Sequence, residues 1–517
     1  MSDGYPTLSN IGGSVPSVEF KSSHAPDDSY KWKAFTAIGI SFVTQVMSMS
    51  MVFVMLSAIA DDFGITLRAV SWVVIAQALT ISALMMPMGR LADIVGWKQI
   101  HLAGLALFAV GALFTALAPV FWLLIAARVV MASGNSMCQS VGTAMVVSVF
   151  PPRERGTAIG SQTTAVSIGG SLGPIVGGVM LQVLPWEALF LMLLVPIGVA
   201  FIAGYLILDN ERLNQDRSSE HSRFDYGGAV LSVLAIVLLV ITINNPIGVN
   251  WLSPLILGGL GTSALLLLAF VRCELKTKVP MLDLSMFRNP VFSMGILARF
   301  LGFLGTTVTR FLMPIYLISL LSMEEAAAGL ILFLSSLGMG VAAQSAGRLS
   351  DRFGPRPFAI FGFSVLAVTS VPMAFFGMET SIWLVGLLLF VNGLGMGFWN
   401  VPNTTVIMGS VPVTRLGVVG AFTNLTRNVG NVAGQAVAAG VVVAVMTAQG
   451  FDIPLSEIAD SPGAGGAFID GWRAAYLLVT GYSVVGLALA IATKPELNRG
   501  VLGPESLDDK EITPDQA

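Results

Sequence analysis

Apolar residues run through this 517-residue chain in blocks of about twenty, broken by short polar segments. A block of that length is what a helix needs to cross a hydrocarbon core of roughly 30 Å. The pattern predicts helices near 34–58, 70–89, 100–118, 121–146, 157–182, 187–207, 227–245, 252–272, 291–319, 326–346, 357–376, 383–406, 416–446 and 473–493. Fourteen spans follow, an all-α membrane protein, and an even count places both ends on one side. The chain before residue 34 is polar, rich in Ser, Pro and Asp, and lacks the apolar core of a cleavable leader, so residues 1–33 are expected as a disordered tail. Residues 208–226 read as a charged loop, 448–472 as the longest loop on the opposite side, without regular structure, and 494–517 as a second tail.

Composition agrees with the pattern. The chain is 55% hydrophobic and 11% charged, where a soluble domain carries roughly a quarter charged residues. Charge distribution then sets orientation. Lys and Arg crowd the segments on one side, among them Lys31, Arg90, Lys98, Arg153, Arg223, Arg272, Arg348, Arg352 and Arg415, while the other side holds Arg68 and Arg473. Short basic loops stay cytoplasmic, so both termini are expected inside. Trp72, Trp122, Trp186, Trp251, Trp383 and Trp472 fall at the outer span ends, where an aromatic belt belongs. The two cysteines, Cys138 and Cys273, suggest no disulfide framework.

One string occurs twice: GRLADIVGWK at 89–98 and GRLSDRFGPR at 347–356. The copies share Gly89/Gly347, Arg90/Arg348, Leu91/Leu349, Asp93/Asp351 and Gly96/Gly354. An offset near half the chain means two similar halves. Because the second copy follows span ten, spans seven and eight (227–272) read as an inserted pair between six-helix bundles at 34–207 and 291–493. The glycines permit tight turns and close helix approach, and Asp93 at a helix end can meet the positive N-terminus of a neighbour, with Arg90 and Lys98 supplying partners.

Buried charge narrows the chemistry. Ionisable groups in hydrocarbon are costly and mark candidate sites. Arg128, Arg299, Arg310 and Arg427 lie inside predicted spans, whereas Glu187, Glu274, Asp61 and Asp62 sit at ends or in loops. Arg299 and Arg310 share a helix face, and either line a cavity or snorkel to a membrane surface. Neutral polar residues point to the same interior: Gln45, Ser48, Gln77, Asn135 and Gln139 in the first half, and Asn392, Asn400 and Asn403 in the second. Asn424, Asn428, Asn431 and Gln435 follow a 4-3-4 spacing and form one polar stripe that must face protein or water.

These motifs resemble the major facilitator superfamily, and within it the fourteen-helix drug:proton antiporter branch. The doubled string is similar to that family's loop motif, in which the resemblance assigns Gly89, Arg90, Asp93, Gly96, Lys98, Gly347, Arg348, Asp351 and Arg352 to a latch between the bundles. The simpler reading is a hairpin that sets topology. GGSLGPIVGG resembles the antiporter motif at Gly169, Gly173, Pro174, Gly177 and Gly178; small-residue packing alone also accounts for those glycines. LIAARVVMASG keeps the family's arginine at Arg128 and glycine at Gly134, with Met131 and Ala132 where Gln and Gly are usual. Arg128 and Arg427 match family positions, with either ligand contact or structural gating as their role. Drug-exporting relatives carry an Asp in the first helix, and Ser48 stands at that place here.

The resemblance implies a secondary transporter working by alternating access, with protons as coupling ion and a small organic molecule as cargo. The arginine-rich interior favours an anionic or neutral, hydrogen-bonding substrate. Import of a nutrient or vitamin, such as a riboflavin-like planar compound, is the alternative, and a non-transporting sensor is a third. His24, His101 and His221 lie apart in the sequence, so an intramembrane hydrolase lacks its inventory. No phosphate-binding Gly-Lys loop is present for an ATP-driven pump. No cofactor, metal or nucleic-acid partner is expected.

Overall fold

A computed structural model describes residues 28–213, 224–245, 249, 253–277, 279–412, 415–451, 453, 458 and 461–493. Among them are fourteen helices long and apolar enough to cross a membrane, and no strand. We label these α1 (Asp28–Phe63), α2 (Trp72–Val95), α3 (Trp97–Ala116), α4 (Phe121–Val149), α5 (Arg155–Met180), α6 (Trp186–Ile207), α7 (Tyr226–Asn244) and α8 (Pro254–Lys276). The second half holds α9 (Pro290–Leu320), α10 (Glu325–Phe353), α11 (Arg356–Ala374), α12 (Ile382–Gly409), α13 (Leu416–Ala448) and α14 (Ala464–Ala492). α6 is broken at Leu193, and α9 ends in a wider π-turn over Ile315–Leu320, directly after Pro314.

Helices α1 to α6 pack on one another, as do α9 to α14, while α7 pairs with α8 and leans on α2 and α13. Lipid offers no hydrophobic drive between helices, so close packing through small residues does that work. In α5 the glycine face meets α1. A Cβ on Gly169 would sit 2.5 Å from the Val43 carbonyl oxygen, and one on Gly177 would sit 2.9 Å from Met51 Cγ. At Gly173 it would overlap Ser50 Oγ, whereas Gly178 has only van der Waals contact with Val54. Pro174 lies on the exposed side of α5.

Several boundaries differ from the sequence expectation. The first helix begins at Asp28, inside the segment expected as tail. Lys31 Nζ holds Glu154 Oε2 at 2.7 Å and Trp32 stands edge-on to Phe150, which ties that extra turn to α4 and the α4–α5 connection. The loop expected over 448–472 is shorter, because α14 starts at Ala464 and its first turns are buried through Phe468 and Trp472. Of the 208–226 loop, Asn210–Leu213 forms a helical turn with Leu208 and Leu213 buried; residues 214–223 lie outside the described ones.

The aromatic belt is partial. Trp122 and Trp383 are 74% and 86% exposed, as an interfacial ring should be. Trp186 and Trp472 are buried instead, donating from Nε1 to Asp62 Oδ2 (3.2 Å) and to the Met373 carbonyl (2.7 Å). An indole with an internal acceptor can leave the interface. Trp251 and the tails at 1–27 and 494–517 lie outside the described residues.

Candidate functional site

The two bundles meet at the end that carries the repeated motif. Both motif copies place their first glycine where helices touch. A Cβ on Gly89 would sit 2.5 Å from Ala421 Cβ of α13, and one on Gly347 would run into the Gly156 carbonyl of α5. The last glycine of each copy closes the turn into the next helix at positive φ, +131° for Gly96 and +86° for Gly354, a region that penalises any Cβ.

The acids of the motif cross the seam. Asp351 accepts from Gly156 N (2.6 Å), Thr157 N (2.7 Å) and Thr157 Oγ1 (2.6 Å), at the first turn of α5. Asp93 accepts from Val418 N at 3.1 Å, at the first turn of α13, and sits hard against Gly417. A carboxylate on a helix N-terminus satisfies unpaired amides and meets the positive end of the dipole.

The cations expected to partner Asp93 go elsewhere. Lys98 Nζ donates to the Tyr205 (3.0 Å) and Leu208 (2.5 Å) carbonyls, pinning the end of α6 within its own half. Arg90 lies within electrostatic reach of Glu274 of α8. The indole of Trp97 fills the gap, donating to Asp93 Oδ1 at 2.8 Å. Arg348 and Arg352 are exposed at this face, Arg352 lying over the Phe353 ring.

Deeper along the seam, hydroxyls and amides take over. Ser161 Oγ reaches Gln344 Oε1 (3.1 Å), Thr164 Oγ1 the Gly340 carbonyl (3.2 Å) and Ser167 Oγ the Ser336 carbonyl (2.6 Å), all between α5 and α10. Across the other junction, Asn424 Nδ2 donates to the Gln139 carbonyl (2.9 Å) and Arg427 Nη2 to Gln139 Oε1 (2.8 Å), joining α13 to α4. Gln139 Nε2 in turn donates to Asn135 Oδ1 at 2.8 Å. Beyond these pairs, towards the opposite end, no hydrogen bond joins the bundles among the described residues. There the polar stripe of α13 becomes accessible: Asn424 is buried, Asn428 and Asn431 are half-buried, and Gln435 is exposed. The seam is closed at the motif end and open beyond mid-depth.

The four intramembrane arginines occupy three environments. Arg427 stands at the seam, within electrostatic reach of both Arg299 and Arg310. Arg310 is solvent-exposed, with Nη2 3.4 Å from Met396 Sδ. Arg299 does not snorkel: it is 4% exposed inside the second bundle, where Nε donates to the Thr423 carbonyl (2.8 Å) and Nη1 to Thr404 Oγ1 (2.8 Å) and Asn400 Oδ1 (3.1 Å). Its guanidinium also lies 5.0 Å from the Phe303 ring centroid. Arg128 is buried within the first bundle, donating to Gln77 Oε1 and lying 5.4 Å from the Phe190 ring centroid. Among the described residues, each of these side chains bonds to neutral groups, and no carboxylate accompanies them.

The remaining candidates scatter. Asn392 donates to Thr369 Oγ1 (3.3 Å) and Asn403 to the Gly295 carbonyl (3.0 Å), both inside the second bundle. Gln45 and Ser48 are buried in α1, their polar atoms without a protein partner. Thus the structure brings together Gln139, Asn424, Arg427, Asn428 and Arg310, and sets apart Arg128 with Gln77, Arg299, Asn392 and Asn403. Sequence reasoning passed over Thr157, Ser161, Thr164 and Ser167, although their near-helical spacing along α5 was a legible signal.

Two helical bundles with a polar seam and charge at its centre are the architecture of a membrane carrier. Residues 38–435 match the family model of the Major Facilitator Superfamily, and the chain belongs to that family. It is similar to the riboflavin transporter RibZ of Clostridioides difficile, at 29% identity over 77% of this chain and 85% of the relative. It is also similar to the multidrug resistance protein Stp of Mycobacterium tuberculosis, at 27% identity over 80% of this chain and 76% of the relative. Among solved structures, the human organic anion transporter MFSD10 superposes with a TM-score of 0.62 at 15% identity, over 88% of this chain and 99% of that one. The proton:xylose symporter XylE gives 0.59 at 13% identity, over 87% and 94%. The chain is a multi-pass membrane transporter by family, not an enzyme.

Proposed function

We propose that this chain is a proton-coupled exporter of small anionic or neutral organic molecules, working by alternating access in the cytoplasmic membrane with both termini inside. One observation carries the reading: Arg427 and Arg310 stand where the seam opens, near the buried Arg299, without a carboxylate beside them among the described residues. A cationic cargo entering there would meet like charge in a poorly screened interior. An anion, or a planar neutral compound rich in acceptors, meets guanidinium donors and the amides of Gln139, Asn428 and Asn431. Closure at the motif end, with Asp93 and Asp351 on opposite helix N-termini, gives one of the two states that alternating access requires. The basic loops on that same end support placing it in the cytoplasm.

A second reading, uptake of a vitamin-like planar compound, is favoured by the similarity to a riboflavin transporter. Flux into proteoliposomes under an imposed pH gradient tests both. Export predicts anionic or neutral compounds moving against the proton gradient, with Arg427→Ala inactive yet normally inserted and Arg128→Ala likewise. Uptake predicts one planar solute entering irrespective of the others. Full transport by both alanine variants removes the arginines from the mechanism.

A further inference from the structure

The inserted pair carries a buried acid that the transport reading does not use. Glu274 lies in the last turn of α8, beyond the apolar run that ends at Arg272, and is 3% exposed. Its Oε2 accepts from Leu282 N at 3.1 Å, while Oε1 is buried without a partner. Asp225 caps α7 through Oδ1, which accepts from Gly228 N at 2.9 Å, and its Oδ2 is likewise buried and unpartnered. Both unpartnered oxygens converge on Gly228: a Cβ there would lie 2.5 Å from Glu274 Oε1 and 2.6 Å from Asp225 Oδ2, so the two are within about 5 Å of each other. Arg90 of the loop motif lies within electrostatic reach of Glu274, its Nε buried and unpartnered.

We infer that Glu274 is a proton-binding site, lying off the central seam between the inserted pair and the first copy of the loop motif. A buried carboxylate and a half-buried one at this separation do not both carry charge without cost, and one added proton on Glu274 removes that repulsion and gives its unpartnered oxygen a donor. The groups facing Glu274 are Asp225 from α7, Arg90 from α2 and the backbone amides of Met281 and Leu282; the Cys273 thiol lies close to Asp225. The nearby Asp283 is bonded to Arg415 at the start of α13. Arg90 adjoins Gly89 and is one turn from Asp93, so proton occupancy at Glu274 changes the charge that holds the latch helix from its outer side.

Infrared difference spectra of the detergent-purified full chain, taken across a pH titration without any substrate, test this directly. The expected result is a carboxylic-acid carbonyl band that appears as the pH is lowered and disappears as it is raised. It is absent in Glu274→Gln, and in Arg90→Met its midpoint rises. The Arg90 variant keeps the test available should Glu274→Gln fold poorly. Absence of a titrating band in the unaltered protein, persistence of the band in Glu274→Gln, or a signal that follows Na⁺ at fixed pH overturns the assignment. Because no substrate is involved, the outcome is independent of which molecule is carried.

Discussion

Asp93 and Asp351 occupy the same position of the repeated motif, and each carboxylate points at the first turn of a helix in the opposite bundle. Their surroundings differ. Asp351 gives both oxygens to α5, accepting two backbone amides and the Thr157 hydroxyl at 2.6 to 2.7 Å. Asp93 divides its carboxylate between the Val418 amide of α13 and the Trp97 indole of its own half. Position 97 corresponds to Pro355 in the second copy, a side chain with no donor. A shared motif position therefore fixes where an acid docks, and its neighbours fix how tightly. The α5–α10 junction is the firmer half of the closure, and it continues inward through the Ser161, Thr164 and Ser167 hydroxyls.

The largest break in this comparison is steric. Gly347→Val drives a side chain into the Gly156 carbonyl, so the α5–α10 junction cannot form. Transport is expected to vanish while membrane insertion is kept, as read by flux and by trypsin accessibility at the motif end. Next comes the acid itself. Hydrogen bonds to a charged group contribute about 1.5 to 3 kcal/mol each, so Asp351→Ala, which removes three, is expected to weaken closure by about 4.5 kcal/mol, on the order of a thousandfold in population. Asp93→Ala is expected to cost less, because its Val418 contact across the seam is longer, at 3.1 Å. Spin-label distances between positions 153 and 345 read both populations. Equal effects of the two substitutions would dissolve the asymmetry.

Two smaller changes sharpen it. Trp97→Phe removes the indole that draws Asp93 Oδ1 towards its own half and is expected to tighten the α2–α13 junction by about 1 kcal/mol. The ion pair of Asp283 with Arg415 sits beside α13. Partial burial works against its charge, but hydrogen bonds from Ser285 and the Arg415 guanidinium hold the Asp283 carboxyl below the usual carboxylate range. A depressed acid stabilises the fold above its ordinary range and loses that contribution as pH falls through its own lower value. Both partners are substantially exposed, so Asp283→Asn is expected to cost about 0.5 kcal/mol at neutral pH and nothing in strong acid, measured by thermal melts in detergent.

Much of this was legible in the residues. Twenty-residue apolar blocks can satisfy their backbone in lipid as helices, so fourteen spans followed from length alone. The repeat located both acids that dock on helix ends, because Gly and Asp at fixed offsets encode a turn and a cap. What spacing does not encode is partner choice across the bundles. Arg299 and Arg310 share a face by periodicity, yet one is enclosed by Thr423, Asn400 and Thr404 while the other meets solvent. Trp472 reads as a belt residue until Met373 supplies an internal acceptor. Glu274 reads as a helix-end charge until the 279–283 segment folds over it.

Charge selectivity measures the positive character of the opening seam most directly. A matched pair of compounds with the same ring system, one anionic and one cationic, is offered to proteoliposomes at a fixed pH gradient. The unaltered protein is expected to carry the anion in preference, and Arg427→Gln to reduce that preference at least tenfold. Preferential movement of the cation by the unaltered protein, or an unchanged ratio in Arg427→Gln, would contradict it.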